Sequence, residues 1–200
     1  MPPETVELFY AILALLAAGA IATLLVIRLL AIGSTAARGW YGAIGEFLRP
    51  NALSMAFLVA LLATMGSLYF SEVAHFDPCR LCWYQRIAMY PLVVILGIAA
   101  VRRDSGVRIY GIALAAIGAL ISTYHVALEW IPALDTGACG LGPSCSVVWF
   151  RTFGFISLPT LALIAFVSIL TLLAVGSPDP DDGDETDDPI DHPADERSHP

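Results

Sequence analysis

The chain has little charge and no lysine, so that all ten of its basic residues are arginines. Only 14% of its residues are charged and 58% are hydrophobic, which excludes an ordinary soluble domain and indicates a protein embedded in a bilayer. It also lacks an excess of basic residues, so we expect no nucleic-acid partner. It contains neither a glycine-rich phosphate loop nor a Ser/His/Asp arrangement. The net charge of -8 comes mainly from the end of the chain, because ten of the eighteen acidic residues lie between Asp179 and Glu196.

Five segments are predicted to cross a membrane, for which a helix needs about 20 mainly apolar residues. Four of them contain no Asp, Glu or Arg: Leu8–Ile27, Ala52–Phe70, Ile109–Leu128 and Thr152–Gly176. The third in chain order, Ile87–Val101, has only fifteen uncharged residues, so its helix is predicted to begin near Leu81 and to include Arg86. The first segment follows Glu4 and Glu7 rather than positive charge, so we interpret it as a retained helix and not as a secretory signal.

The arginines predict the orientation of these spans, because Lys and Arg accumulate in short cytoplasmic loops. One side of the membrane would hold Arg28, Arg38, Arg49, Arg102, Arg103 and Arg108, and the other Arg80, Arg86 and Arg151. We therefore predict an outer N-terminus, a cytoplasmic C-terminus and all four cysteines in outer loops, where disulfides persist. Residues 177–200, rich in Asp and Pro, are predicted to form a disordered cytoplasmic tail.

The most informative stretch is residues 77–86, Asp-Pro-Cys-Arg-Leu-Cys-Trp-Tyr-Gln-Arg, where a predicted outer loop turns into a membrane helix. If the helix begins near Pro78, Cys79 and Cys82 lie on one face and can close a disulfide that is readily reduced and re-formed. The helix dipole favours a thiolate at Cys82, and so does the charge of Arg86 one turn further along. A redox-active thiol is therefore predicted at the membrane boundary.

A thiolate at this depth can meet both a dissolved protein and a carrier dissolved in the bilayer, and a quinone is such a carrier. Arg86 and Gln85 can donate hydrogen bonds to a quinone carbonyl as negative charge develops on the ring. We interpret Trp83, Tyr84 and Tyr90 mainly as part of the interfacial aromatic belt, with packing against the quinone as the alternative.

His125 is an ionisable residue inside the fourth predicted span, which makes it a candidate for protonating or orienting a reduced quinone. An ordinary interhelical hydrogen bond is the alternative interpretation. Glu129, near the outer boundary of the same span, is interpreted as a solvated charge.

The second cysteine pair, Cys139 and Cys145, encloses a Gly- and Pro-containing segment that favours a tight turn. Closing so small a ring stabilises the fold by only roughly 2.4 kcal/mol, so we expect a labile disulfide, exposed enough for an incoming thiolate to attack. A permanent structural disulfide is the alternative. Four thiolates can also bind zinc, but a C-x5-C half-site is unusual, and we expect no metal.

Both cysteine motifs resemble those of the DsbB/BdbC-type disulfide bond formation proteins, a family of membrane thiol:quinone oxidoreductases. The run Cys-Arg-Leu-Cys-Trp-Tyr-Gln-Arg at residues 79–86, with Tyr90-Pro91, is similar to the first motif of the BdbC branch. The second cysteine pair and the following Phe-Gly-Phe-Ile-Ser-Leu-Pro at residues 153–159 are similar to the second motif. The resemblance covers about residues 52–176.

The resemblance implies an all-α membrane protein of the prokaryotic plasma membrane, with a four-helix transmembrane bundle of DsbB type and one extra N-terminal transmembrane helix. Residues 1–51 would hold the extra helix and a cytoplasmic loop at 33–50. Residues 52–176 would form the bundle with its two cysteine-bearing outer loops, and residues 177–200 the acidic tail.

The resemblance also assigns roles to individual residues. Cys139 would form a mixed disulfide with a DsbA/BdbD-like thioredoxin-fold thiol oxidase, and Cys145 would resolve it. Electrons would then pass to Cys79 and Cys82 and on to menaquinone or ubiquinone, with Cys82 nearest the quinone. Arg86 would be its companion, and the histidine of the fourth span matches a quinone-proximal position of the family.

Three other classes of protein compete with this interpretation. In vitamin K epoxide reductase relatives the loop cysteines precede the C-x-x-C, whereas here the C-x-x-C comes first. Conduits that carry reducing electrons outward usually have paired cysteines within their spans, and here all four are predicted outside. A non-enzymatic membrane scaffold with two structural disulfides would differ from both in that added quinone would not reoxidise it.

Overall fold

A computed structural model describes residues 2–135, 139 and 143–175. These residues are almost entirely helical and contain no strand, apart from an isolated bridge between Thr152 and Ile156. The helices are α1 (Pro3–Leu30), α2 (Thr35–Leu48), α3 (Ala52–Leu68), α4 (Arg80–Arg102), α5 (Arg108–Trp130) and α6 (Leu158–Val175). The predicted all-α fold class is confirmed. The predicted acidic tail lies outside the described residues.

Five helical stretches among the described residues are long and apolar enough to cross a membrane, as a multi-pass membrane protein requires. They are α1, the stretch Thr35–Val73 that contains α3, α4, α5 and α6. Their number agrees with the five predicted spans. α4 begins at Arg80 and includes Arg86, as its shortage of uncharged residues predicted.

Helices α3 to α6 form a four-helix bundle in which each helix packs on two neighbours, in the order α3, α4, α5, α6 and back to α3. The bundle core is apolar and includes Leu92 and Leu96 of α4 with Phe166 and Ile169 of α6. Gly118 of α5 lets the Phe166 ring approach the α5 backbone, since an added Cβ would overlap with that ring. α1 packs outside this bundle, mainly on α6.

The predicted loop at residues 33–50 is wrong, because most of it forms α2. The Ser34 side chain accepts a hydrogen bond from the backbone N–H of Ala37 and caps the start of the helix. Helix formation continues to Leu48, and a short 3-10 turn at Arg49–Asn51 connects α2 to α3. The segment is too polar to be detected as a span, but it contains no proline before residue 50.

The last predicted span, Thr152–Gly176, begins six residues too early. Phe153 and Gly154 both have positive φ values, 56° and 81°, so the chain turns there and cannot continue a right-handed helix. The turn closes at the bridge between Thr152 and Ile156, and α6 follows from Leu158.

All four cysteines lie at one end of the bundle, which we call the cysteine end. There α4 and α6 begin and α3 and α5 finish. Stacked aromatic rings join the segments between the helices: the Phe76 ring lies 5.7 Å from that of Phe70 and 4.8 Å from that of Trp149. These contacts fix the segment before Cys79 against the segment that follows Cys145.

Candidate redox site

Cys79 and Cys82 stand at the start of α4, where Pro78 precedes the first helical turn. Cys79 caps the helix, since its Sγ accepts a hydrogen bond from the backbone N–H of Cys82 at 3.4 Å. The two Sγ atoms lie 3.1 Å apart and are not joined in a disulfide. The predicted placement of both thiols on one face at a helix start is confirmed, and the pair needs little movement to form a disulfide.

The contacts that favour a thiolate converge on Cys79 rather than on Cys82. A hydrogen bond with the Cys82 side chain lowers the pKa of Cys79 well below that of an ordinary thiol, and contact with His125 at 3.7 Å lowers it further, although burial opposes both. The sequence placed the thiolate at Cys82 because of the helix dipole. The structure differs because the capping position, where the helix N–H groups point, is occupied by Cys79.

His125 links both cysteine pairs from its buried position on α5. Its Nδ1 lies 3.3 Å from the Gln85 amide nitrogen, its Nε2 lies 3.1 Å from the Cys145 carbonyl oxygen, and Nε2 also faces Cys79. An amide nitrogen only donates, so Nδ1 accepts and Nε2 carries the proton that it donates to the carbonyl. His125 therefore contacts the Cys79 sulfur directly, and Gln85 fixes the orientation of its ring.

Cys139 and Cys145 form a disulfide with their Cα atoms 5.8 Å apart. Both are buried, at 4% and 1% exposure, and pack in one cluster with Cys79, Leu81 and Leu128. The sequence predicted an exposed disulfide, so this expectation is wrong for the form described. The glycines and proline between the two cysteines indicated a turn, but they could not indicate that residues of α4 and α5 would pack against the disulfide.

Arg86 is anchored to α3. Its Nε donates to the Ser67 hydroxyl at 3.0 Å and its guanidinium donates to the Ser67 carbonyl at 3.1 Å. The guanidinium also lies 5.2 Å from the ring centre of Trp83, within the range of a cation–π contact. Tyr90 donates to the same Ser67 hydroxyl at 3.4 Å. The side chain is thereby held in a fixed position with part of its donor set still available.

An apolar cavity of about 280 Å³ opens beside Cys82, between α1, α3, α4 and α6. Most of its lining is aliphatic or aromatic, including Leu62, Met89 and Phe166. Polar side chains also line it: Ser67, Gln85, Arg86 and Tyr90. An apolar cavity with a few convergent polar groups is the usual form of a small-molecule site. Tyr90 thus lines a cavity, whereas the sequence interpretation placed it mainly in the aromatic belt.

A second cavity of about 190 Å³ lies near the same thiols and is lined by Asp77, Cys79, Cys82, His125 and Glu129 among others. Glu129 was interpreted as a solvated charge, which is wrong: it is only 8% exposed. Its carboxylate accepts a hydrogen bond from the buried Ser157 hydroxyl. Its spacing of four residues from His125 on one helix could have indicated a shared face.

Cys79, Cys82 and His125 also bring three possible metal ligands within 4.8 Å of one another. The two sulfurs are the same atoms that a disulfide at this position would use. Metal binding and thiol exchange at this position therefore exclude each other.

The family model of the disulfide bond formation protein DsbB matches residues 49–176, more than half of the chain. A probable disulfide formation protein C 2 of Bacillus anthracis is 43% identical over 128 residues, which are 64% of this chain and 91% of that protein. The disulfide bond formation protein C of Bacillus subtilis (strain 168) is 48% identical over 124 residues, 62% of this chain and 90% of that protein. No solved structure matches the chain significantly.

Proposed function

Because this chain belongs to the DsbB family of disulfide bond formation proteins and so has an oxidoreductase role in disulfide generation, we propose that it is a thiol:quinone oxidoreductase. It would reoxidise a DsbA/BdbD-like thiol oxidase outside the plasma membrane. The electrons would pass through the two cysteine pairs to menaquinone or ubiquinone. In balance, two partner thiols become a disulfide and a quinone becomes a quinol, with two electrons and two protons transferred.

The observation that supports this proposal is the position of the C-x-x-C between two different environments. Cys79 packs with the Cys139–Cys145 disulfide, while Cys82 lines the apolar cavity. Electrons that arrive by thiol exchange at one cysteine can therefore leave through its neighbour, since the two sulfurs are 3.1 Å apart. A structural scaffold would have no use for an apolar cavity beside a reactive thiol.

The cavity fits a tailed quinone by its chemistry. Its aliphatic walls suit an isoprenoid chain, and Arg86 offers charged donors of the kind that stabilise negative charge on a carbonyl oxygen. The Ser67 hydrogen bonds orient Arg86 in advance, so little ordering is left to be done when a ligand enters. When bound, a quinone would supply the two-electron acceptor.

The residues around Cys79 would control the protonation of its thiol. His125 carries its proton on Nε2, the atom that faces both Cys79 and the Cys145 carbonyl. Gln85 keeps the ring in this tautomer through Nδ1. His125 would thus stabilise the Cys79 thiolate that forms when a disulfide is exchanged, rather than contact the quinone itself.

Access for the partner would require movement of the second pair. Cys139 and Cys145 are buried within the cysteine end, so a thioredoxin-fold partner would have to displace one of them to reach Sγ of Cys139. Displacement would also break the hydrogen bond between His125 and the Cys145 carbonyl, so partner binding and the state of Cys79 would be linked.

The proposal is tested by anaerobic reoxidation of the reduced protein in lipid nanodiscs, with menaquinone and ubiquinone analogues compared and quinone absorbance followed. The wild type should reduce quinone when a reduced thioredoxin-fold oxidase is supplied. Cys82→Ser should transfer no electrons to quinone, and Arg86→Ala should raise the KM for quinone. A wild type that exchanges thiols with the partner but never reduces quinone would favour a different acceptor, and one that does neither would favour the structural scaffold.

A further inference from the structure

The N-terminal helix α1 precedes residues 49–176, the part of the chain that matches the DsbB family. It nevertheless supplies one wall of the apolar cavity, through Tyr10, Leu13, Ala14 and Ala17. The other walls come mainly from α3, α4 and α6, which belong to the matched part. A helix that is extra to the family bundle therefore encloses the same cavity that Cys82 lines.

Tyr10 attaches α1 to α3. Its hydroxyl donates a hydrogen bond to the backbone carbonyl of Leu62 at 3.1 Å. Its ring lies over Gly66, where an added Cβ would come within 2.7 Å of the ring. The ring centre is also 6.1 Å from that of Phe70. Only glycine at position 66 permits this close approach, so α1 packs on the bundle at a defined position.

The contact of Tyr10 lies next to the polar part of the cavity. Gly66 immediately precedes Ser67, the residue that accepts two hydrogen bonds from Arg86. Ala17 lies two helical turns further along α1, about 10 Å from Tyr10 at 1.5 Å per residue. The α1 wall therefore extends from the Arg86 region towards the interior of the membrane span.

Beyond Tyr10 and Leu13, the residues of this wall that line the cavity are small. Ala14 and Ala17 line it, whereas the lipid-facing side of α1 carries large exposed side chains such as Leu16 and Leu25. A larger side chain at position 17 would occupy space inside a cavity of about 280 Å³. The small side chains leave that space to a ligand.

We propose that α1 is a wall of the quinone site and that Ala17 is a specificity-determining residue for the tail of the quinone. This rests on the proposed function and goes beyond it, because it gives a role to a helix outside the family bundle. The quinone ring would occupy the end near Arg86, and its isoprenoid tail would pass the small residues of α1.

The test compares Ala17→Phe with Ala22→Phe in the full-length protein. Ala22 lies on the same helix, is exposed and does not line the cavity, so it controls for a bulky substitution in α1. Binding of a menaquinone analogue with an isoprenoid tail is measured in nanodiscs by quenching of tryptophan fluorescence, since Trp149 lines the cavity. Ala17→Leu is a milder second variant in case Ala17→Phe does not fold, as judged by its thermal unfolding.

Ala17→Phe should raise the Kd by about tenfold or more, because the added ring competes for the tail's space. Ala22→Phe should stay within about twofold of the wild type. A folded Ala17 variant with wild-type affinity, or an equal loss in Ala22→Phe, would overturn the role of α1. If the wild type itself neither binds nor reduces quinone, the proposed function fails first, which is a distinguishable result.

Discussion

At the scale of single residues, the redox site depends on His125, which contacts both cysteine pairs. Nε2 faces Cys79 and the Cys145 carbonyl, and Nδ1 accepts from Gln85. Because the ring is buried, its protonated nitrogen has few alternatives to these partners. Removal of the ring should therefore affect the pKa of the Cys79 thiol more than the packing of the bundle.

This can be measured in a Cys82→Ser background, where Cys79 is the only free thiol and the serine hydroxyl can still donate to it. The lowered pKa of Cys79 means that thiolate absorbance should persist to a pH below that of an ordinary thiol and disappear as the pH falls through the pKa of the folded protein. Adding His125→Ala should move this midpoint upwards. An unchanged midpoint would contradict the role of His125.

A second residue-scale prediction concerns Glu129. Glu129→Ala leaves the buried Ser157 hydroxyl without its carboxylate acceptor, so it should lower the free energy of unfolding by about 1–3 kcal/mol. Glu129→Gln is the matched control, since its amide oxygen can still accept from Ser157, and it should lose less. Denaturant unfolding in detergent measures both. Equal losses would mean that the hydrogen bond contributes nothing.

At this scale the sequence predicted which residues belong to the site better than it predicted their surroundings. The thiols of Cys79 and Cys82 were placed on one face because a spacing of three residues determines this in any helix. The burial of Glu129 was missed because it depends on Ser157, which is 28 residues away in the chain. Such a contact leaves no local pattern.

At the scale of helices, the start of each helix was harder to predict than its existence. Apolar composition located all five spans, but the start of α6 depends on backbone dihedral angles at Phe153 and Gly154. The cap of α4 is a cysteine, a residue that is not among the preferred capping residues. For that reason the sequence did not indicate that Cys79 would accept the capping hydrogen bond from the Cys82 N–H.

The packing of α5 on α6 gives an element-scale prediction. Gly118→Ala should destabilise the protein by about 1–3 kcal/mol, because its new Cβ would overlap with the Phe166 ring. Gly19→Ala on α1 is the control, since an added Cβ there meets no described atom within 4 Å and alanine favours a helix. Thermal unfolding compares the two. Partial rescue of Gly118→Ala by Phe166→Leu would identify the ring as the cause.

At the scale of the whole molecule, five of the six arginines that the sequence assigned to one side of the membrane lie at one end of the structure. The end opposite the cysteines holds the ends of α1 and α4 and the starts of α3 and α5, where Arg28, Arg49, Arg102, Arg103 and Arg108 lie. At the cysteine end, Arg86 is engaged with Ser67 and Arg151 with Trp130. The sequence could predict this distribution from span order alone, but it could not predict that α1 would join the cavity.

Orientation is the last prediction, and the proposed function depends on it. The test uses a chain whose native cysteines are replaced by serine. Ser105→Cys then reports on the end opposite the cysteines and Ala133→Cys on the cysteine end, and both positions are exposed. Because the arginine-rich end should face the cytoplasm, a membrane-impermeant maleimide should label Ala133→Cys in intact cells and Ser105→Cys only after lysis. The reverse pattern would place the thiols in a reducing compartment and remove the basis for oxidising exported proteins.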